Sequence, residues 1–139
     1  MLDRDPQQLK QFLFDYVESH EALQILMWLQ RHGGTAATGA QIAQITGISP
    51  TLVAEALGRL AALGLLSTES AHPVAFRYNP SDPALDDALQ GVVALYEEQP
   101  LRVIEFMTAN SIERVKASAL RRFADAFQFK KPPQGGSDG

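Results

Sequence analysis

The sequence predicts a mainly α-helical fold with one small β-ribbon near its middle. Between residues 35 and 80, two apolar helical stretches flank a tight turn and are followed by two short β-type runs. Outside this segment, apolar residues recur at helical spacing before residue 33 and after residue 82. Hydrophobic residues make up 45% of the 139 positions, which is enough to form a buried core.

The first two predicted helices lie before residue 33. Residues 7–18 carry apolar side chains at helical spacing, and Ser19 is a suitable N-cap for a second helix that runs to His32. Gly33-Gly34 then ends that helix. Since the second helix is apolar on more than one side, we expect it to be packed between the winged core and either the terminal helices or a partner subunit.

The next pair of helices is defined by the turn between them. Ile42 belongs to a short apolar helix that ends at Gly47, a residue that readily adopts positive φ. Ser49 is a suitable N-cap for the following helix, and Pro50 occupies its first position, where a missing N–H costs nothing. The turn therefore holds the second helix of the pair against the first.

That second helix is amphipathic and leads into the ribbon. Its predicted buried stripe consists of Val53, Ala56, Leu57, Leu60 and Gly64. After Gly64, residues 65–69 and the alternating apolar positions of residues 74–78 predict two strands around the turn at residues 70–73. The segment thus has the order of a winged helix-turn-helix with a two-stranded β-wing.

These residues resemble the winged helix-turn-helix of small bacterial transcription regulators, nearest to the MarR and ArsR types. The matching positions are Thr38, Ile42-Ala43, Gly47-Ile48-Ser49, Val53, Leu57, Leu60, Leu63, Gly64-Leu65-Leu66 and Tyr78. Most of them are helix caps and core positions, so the resemblance indicates a fold more strongly than one family. We expect an N-terminal helix over residues 1–18 and the winged domain over residues 19–80.

Residues 81–129 are predicted to be a C-terminal helical region for dimerisation or partner binding. Asp82 is a suitable N-cap before Pro83, and Pro100 should end that helix. Asn110-Ser111 predicts a further break, with a last helix that begins at Ile112. The composition of residues 130–139 is that of a disordered tail.

Composition excludes several classes of function. The chain has no cysteine, which excludes disulfides and thiolate metal sites. It has neither a membrane-length apolar run nor a signal peptide, so we expect a cytoplasmic protein without membrane partners. Its three histidines stand outside any catalytic or metal-binding motif. We therefore predict no enzymatic activity, no cofactor and no metal.

Charge is distributed unevenly along a chain whose net charge is −4. Residues 81–110 hold one basic and six acidic side chains, whereas residues 111–131 hold six basic and two acidic ones. The basic residues Arg114, Lys116, Arg121 and Arg122 form a possible secondary basic patch. It could pair with the acidic segment of the same or a second subunit, follow a phosphate backbone, or form a solvated helix face.

The resemblance implies a homodimeric regulator that binds double-stranded DNA. The residues that would contact DNA are Ser49, Thr51, Glu55 and Arg59 on the recognition helix and its cap, with His72 and Arg77 on the wing. The same helix also carries a face of small residues, at Ala54, Gly58, Ala61 and Ala62. Because another helix could approach that face closely, a protein-interaction adaptor without DNA binding is the alternative.

Overall fold

The computed structural model describes residues 5–69 and 72–130. Within them the chain forms a mainly helical fold with one small antiparallel sheet. The helices are α1 (Pro6–Tyr16), α2 (His20–Arg31), α3 (Gly39–Thr46), α4 (Pro50–Ala62), α5 (Pro83–Glu98) and α6 (Pro100–Lys130). The strands are β1 (Ala37–Thr38), β2 (Leu66–Glu69) and β3 (Ala75–Tyr78). The predicted fold class is confirmed.

Local capping accounts for where most of the helices begin. The side-chain oxygens of Ser19, Ser49 and Asp82 accept hydrogen bonds from backbone N–H groups in the first turns of α2, α4 and α5, as predicted. Thr38 and Gln41 form a reciprocal capping box at the start of α3, which the sequence analysis did not identify. Each cap satisfies a donor that the helix itself leaves unpaired.

Helix α2 lies at the centre of the hydrophobic core. Its buried residues are Ala22, Leu23, Ile25, Leu26, Met27 and Leu29. They pack against α3, α4 and β3, so α2 is covered on more than one side. These three elements all belong to the winged domain, so the main contacts of α2 lie within that domain, and its expected packing against the terminal helices or a partner subunit stays a prediction.

The sheet has three strands in the order β1-β3-β2, and all pairs are antiparallel. β2 and β3 form the predicted wing, with Leu66 opposite Tyr78. β1 is an addition that places Ala37 opposite Phe76. A strand of two residues is too short for alternation to reveal it in a sequence. Ser70 and Ala71, in the predicted turn, lie outside the described residues.

The predicted helix break at Asn110-Ser111 is wrong, because α6 continues without interruption from Pro100 to Lys130. Asn110 is only 1% exposed, and its side-chain amide donates a hydrogen bond of 3.0 Å to the backbone carbonyl of Lys10. The amide therefore joins α6 to α1 and does not cap a new helix. Of the predicted tail, Lys130 belongs to α6, and residues 131–139 lie outside the described residues.

Arg114 makes a second connection between α6 and α1. Its guanidinium donates to the carbonyls of Leu13 (3.1 Å), Phe14 (2.7 Å), Val17 (3.3 Å) and Glu18 (3.3 Å). These carbonyls lie at the C-terminal end of α1, where a helix runs out of internal donors; among the described residues, only that of Leu13 also accepts from a backbone N–H, that of Val17, at 2.9 Å. The guanidinium carbon also lies 4.9 Å from the centroid of the Phe14 ring. Arg114 thus acts as the C-terminal cap of α1.

Among the described residues, no helix combines the length and the apolar character that crossing a membrane requires.

We expect Arg114→Met to lower the free energy of unfolding by about 2 kcal/mol, because the carbonyls at the end of α1 lose charged donors while the aliphatic stem is kept. Urea denaturation followed by circular dichroism measures this change. Arg122→Met is the matched control, since Arg122 is exposed and has no hydrogen bond to another described residue. Equal stability of the two variants would contradict the capping role of Arg114.

Two exposed glycines should respond to alanine in opposite directions. Gly47 has a φ of 76°, so Gly47→Ala places a side chain in the left-handed region and should cost about 1 kcal/mol. Gly58 lies inside α4, and a Cβ there would meet no atom within 4 Å. Gly58→Ala should therefore stabilise the protein by about 0.5–1 kcal/mol, measured at the same protein concentration. Destabilisation by both changes would show that the surface of α4 is more constrained than this structure indicates.

Candidate nucleic-acid interface

Helix α4 has one buried face and one exposed face. Val53, Leu57 and Leu60 are buried, and the helix packs against α2 and α3. The opposite face presents Thr51 and Glu55 to solvent, together with Gly58 and Ala62. Two of the predicted DNA-contacting residues, Thr51 and Glu55, thus lie side by side on an uncovered helix surface.

The turn between α3 and α4 is stabilised by hydrogen bonds that each join residues no more than four positions apart. The hydroxyl of Thr46 donates to the carbonyl of Ile42 at 2.7 Å and accepts from the N–H of Ile48 at 3.3 Å. Gly47 supplies the positive φ between them, and Ser49 caps α4 by accepting from the N–H of Leu52 at 3.3 Å. Because every one of these contacts is local, the angle between the two helices is determined by the sequence of the turn.

Arg59 lies on the flank of α4 that faces the end of α1. Its Nε is 3.5 Å from Oε1 of Glu18, and both side chains are about half exposed. An exposed ion pair of this kind contributes little to stability and can be exchanged for another partner. Arg59 is therefore available to an anion only in competition with Glu18.

The wing places its described basic residues in different surroundings. Arg77 lies across the ribbon, paired with Glu69, and donates to the carbonyl of Gly34 at 3.3 Å. His72 is exposed beside the turn. Arg77 therefore joins β3 to β2 and to the turn after α2, and its guanidinium is less free than the sequence suggested.

A hydrogen bond connects the base of the wing to α5. The hydroxyl of Tyr78 donates to Oδ1 of Asp86 at 2.7 Å, and Oδ2 of Asp86 accepts from the Gln90 side chain at 2.8 Å. Burial, followed by the hydrogen bond to Asp86 and its negative charge, raises the pKa of Tyr78 above its ordinary value. Tyr78 thus stays protonated, and the bond persists over the whole physiological pH range.

Most of the predicted secondary basic patch lines a cleft between α1, α4 and α6. The cleft has a volume of about 700 Å³, and its basic side chains are Arg59, Arg114, Arg121 and Arg122. Lys116 is not part of its lining. Arg114 is occupied by the carbonyls of α1, whereas Arg121 and Arg122 are exposed. The cleft thus offers guanidinium groups suited to carboxylates or phosphates.

Two of the residues that organise this region were missed in the sequence analysis. Glu18 stands at the end of α1 without a motif around it, and its partner Arg59 is 41 positions away. Asp86 accepts from Tyr78 in the first turn of α5, and nothing local in the sequence indicates that contact. Neither pairing leaves a periodic signal. Among the described residues, no three His, Cys, Asp or Glu side chains are grouped as a metal site would require.

Comparison with known proteins agrees with the fold. The model of the MarR family matches residues 19–73. MepR, a transcription regulator of the Staphylococcus aureus multidrug efflux pump MepA, has a TM-score of 0.52 at 15% identity, covering 87% of this chain and 89% of that chain. A point variant of S. aureus MepR bound to an oligodeoxyribonucleotide has a TM-score of 0.50 at 17% identity, covering 86% of this chain and 88% of that chain.

No curated protein sequence matches this chain significantly. The family match nevertheless covers α2, α3, α4 and the start of the wing, which are the elements that form the turn and the exposed helix. Residues 19–73 of this chain are therefore similar to the MarR family, and the chain has the fold of a winged helix-turn-helix.

Proposed function

We propose that this protein is a homodimeric transcription regulator that binds double-stranded DNA through α4 and the wing. The observation that carries the proposal is the exposed outer face of α4, held at a fixed angle by the turn at residues 46–49. In helix-turn-helix proteins the second helix enters the major groove from this position. The MepR variant of the same fold, which binds an oligodeoxyribonucleotide, supports it.

The exposed side chains at the start and along the outer face of α4 suit different chemical groups of DNA. Ser49 and Thr51 carry hydroxyls that suit phosphate oxygens, and the methyl of Thr51 suits a thymine methyl. Glu55 can accept a hydrogen bond from N4 of cytosine, yet it repels phosphates. Arg59 can reach a phosphate once it leaves Glu18. His72 and Arg77 complete the interface on the wing.

The alternative adaptor role has weaker support. The small-residue face is present, since Ala54, Gly58 and Ala62 are all exposed. A surface of small residues fits close approach by any partner, including the floor of a DNA groove, so it does not favour a protein. The family match favours a regulator.

The dimer interface that we propose is the outer stripe of α6. Its large apolar residues are Leu101, Ile104, Ile112, Val115, Phe123 and Phe127, all exposed in the single chain. They are separated by three, four or eight residues and so follow one side of the helix. The opposite side, through Val103 and Phe106, packs into the protein's own core. An apolar face this long in water requires a second covering surface.

Charge complementarity favours a second copy of the chain as that covering surface. Lys116 and Arg122 are exposed on the distal part of α6, and Glu98 and Glu105 are exposed near its start. A two-fold interface brings the same patch of both subunits together, so each basic end can meet an acidic stretch of its partner. This arrangement matches the first of the pairings considered from the sequence.

DNA binding is tested by fluorescence anisotropy of a mixed-sequence duplex between about 20 and 150 mM salt. We expect the logarithm of the association constant to fall steeply with the logarithm of salt, because bound phosphates release counterions. Arg59→Ala should reduce the size of that slope by about 1 for each protomer that loses a phosphate contact.

Arg102→Ala provides the control, since it removes the same charge from an exposed position of α6 that lies outside the winged domain. It should leave the slope unchanged. Absence of any duplex binding at about 20 mM salt, where backbone contacts are least screened, would refute DNA binding by this chain.

The dimer is tested by light scattering after gel filtration of the Phe123→Asp/Phe127→Asp double variant. The two rings stack with centroids 5.7 Å apart and are 67% and 66% exposed. Placing carboxylates there should weaken dimerisation by about a hundredfold or more, since each buried phenylalanine contributes about 1.5–3 kcal/mol. Ala117→Asp, on the side of α6 that faces the cleft, should remain dimeric. A monomeric native protein would refute the dimer, and a dimeric double variant would place the interface elsewhere.

A further inference from the structure

A second cavity lies between α4 and the start of α2. It shares Glu18 and Arg59 with the cleft described above. It has a volume of about 260 Å³. Its apolar lining comes from Tyr16, Ala22, Leu52, Ala56 and Leu60. Leu52 is 45% exposed, so part of the apolar lining of the cavity is open to solvent. We call this cavity the α2–α4 slot.

The rim of the α2–α4 slot is acidic. Glu18, Glu21 and Glu55 all line it, and Arg59 is the single basic residue among the lining side chains. Glu18 is paired with Arg59, whereas Glu21 and Glu55 make no hydrogen bond or ion pair with any residue in the described ranges. The rim therefore leaves two carboxylates without a partner beside an exposed apolar surface.

We propose that the α2–α4 slot is a docking site for a basic amphipathic segment of a partner protein. One bulky apolar side chain of that segment inserts against Leu52, while its lysine or arginine side chains pair with Glu21 and Glu55. An amphipathic helix commonly binds in this way, with a large side chain anchored in a groove and charges matched at its rim.

Size and charge argue against other occupants. The cavity is smaller than the roughly 300–1,000 Å³ of pockets that enclose small molecules, but it is large enough for one aromatic or branched side chain. Two unpaired carboxylates repel a phosphate backbone at this flank of α4 and attract ammonium or guanidinium groups. The slot is therefore suited to a cationic protein segment and unsuited to DNA.

The α2–α4 slot lies next to the face of α4 that we propose for DNA binding. Leu52 and Glu55 both belong to the slot and to the N-terminal half of α4, where Thr51 faces solvent. A helix lying in the slot occupies space beside the face that we propose for DNA. The partner segment and a duplex should therefore exclude each other, although docking itself does not require that the protein bind DNA.

The test uses a fluorescein-labelled synthetic helix of leucine and lysine with one tryptophan in its apolar face, titrated with the full-length protein. A second peptide with glutamate at every lysine position is the charge control. We expect the basic peptide to bind and the acidic peptide not to bind. Leu52→Asp should weaken binding about tenfold or more by filling the anchor site with charge, and Glu21→Gln/Glu55→Gln should weaken it by a similar factor.

Matched variants separate docking in the slot from general attraction to an acidic protein. Val74→Asp changes an apolar residue of similar exposure on the wing, and Glu97→Gln/Glu113→Gln removes two carboxylates from exposed positions of α5 and α6. Both should bind the basic peptide as the native protein does. Equal loss in slot and control variants, or no binding of the basic peptide to the native protein, would overturn the proposal. Because the assay contains no DNA, its result is independent of the duplex measurement.

Discussion

The structure depends on how the end of α1 is held, because this is where the terminal helices meet the winged domain. Glu18 contacts both a terminal helix, α6, and the winged domain, through α4. Its backbone carbonyl accepts from Arg114 of α6, and its carboxylate pairs with Arg59 of α4. Ser19, the next residue, caps α2. Three separate helices, α2, α4 and α6, thus make contacts with Glu18 or Ser19 at the end of α1.

This arrangement connects the proposed dimer helix to the proposed DNA-binding helix through few intermediates. Arg114 binds four carbonyls at the end of α1, so a displacement of α6 either moves that end with it or breaks charged hydrogen bonds. A second connection runs from β3 to α5 through the hydroxyl of Tyr78 and Asp86. Since α5 leads directly into α6, both faces of the winged domain are attached to the same pair of helices.

The features that could be predicted from the sequence are those whose causes are local. Caps at Ser19, Ser49 and Asp82, the glycine turn at Gly47 and the buried stripe of α4 each follow from residues within one or two helical turns. The interactions that could not be predicted join distant parts of the chain. Asn110 meets Lys10 across 100 positions, and this contact turns an apparent helix break into part of a continuous helix. The groove-facing residues remain a prediction, because exposure alone does not identify a ligand.

The acidic character of the α4 flank limits how the protein can bind DNA. Glu55 is the charged residue on the outer face, and Glu18 holds the neighbouring Arg59, so a single α4 has weak attraction for phosphates. The phosphate contacts behind the expected salt dependence must then be summed over the two winged domains of the proposed dimer on one duplex. A second helix contributes through effective concentration, which raises affinity without any new contact within a protomer. We therefore expect the proposed DNA binding to depend on the proposed dimerisation through α6. The same carboxylates that weaken attraction for phosphates suit the basic segment proposed for the α2–α4 slot.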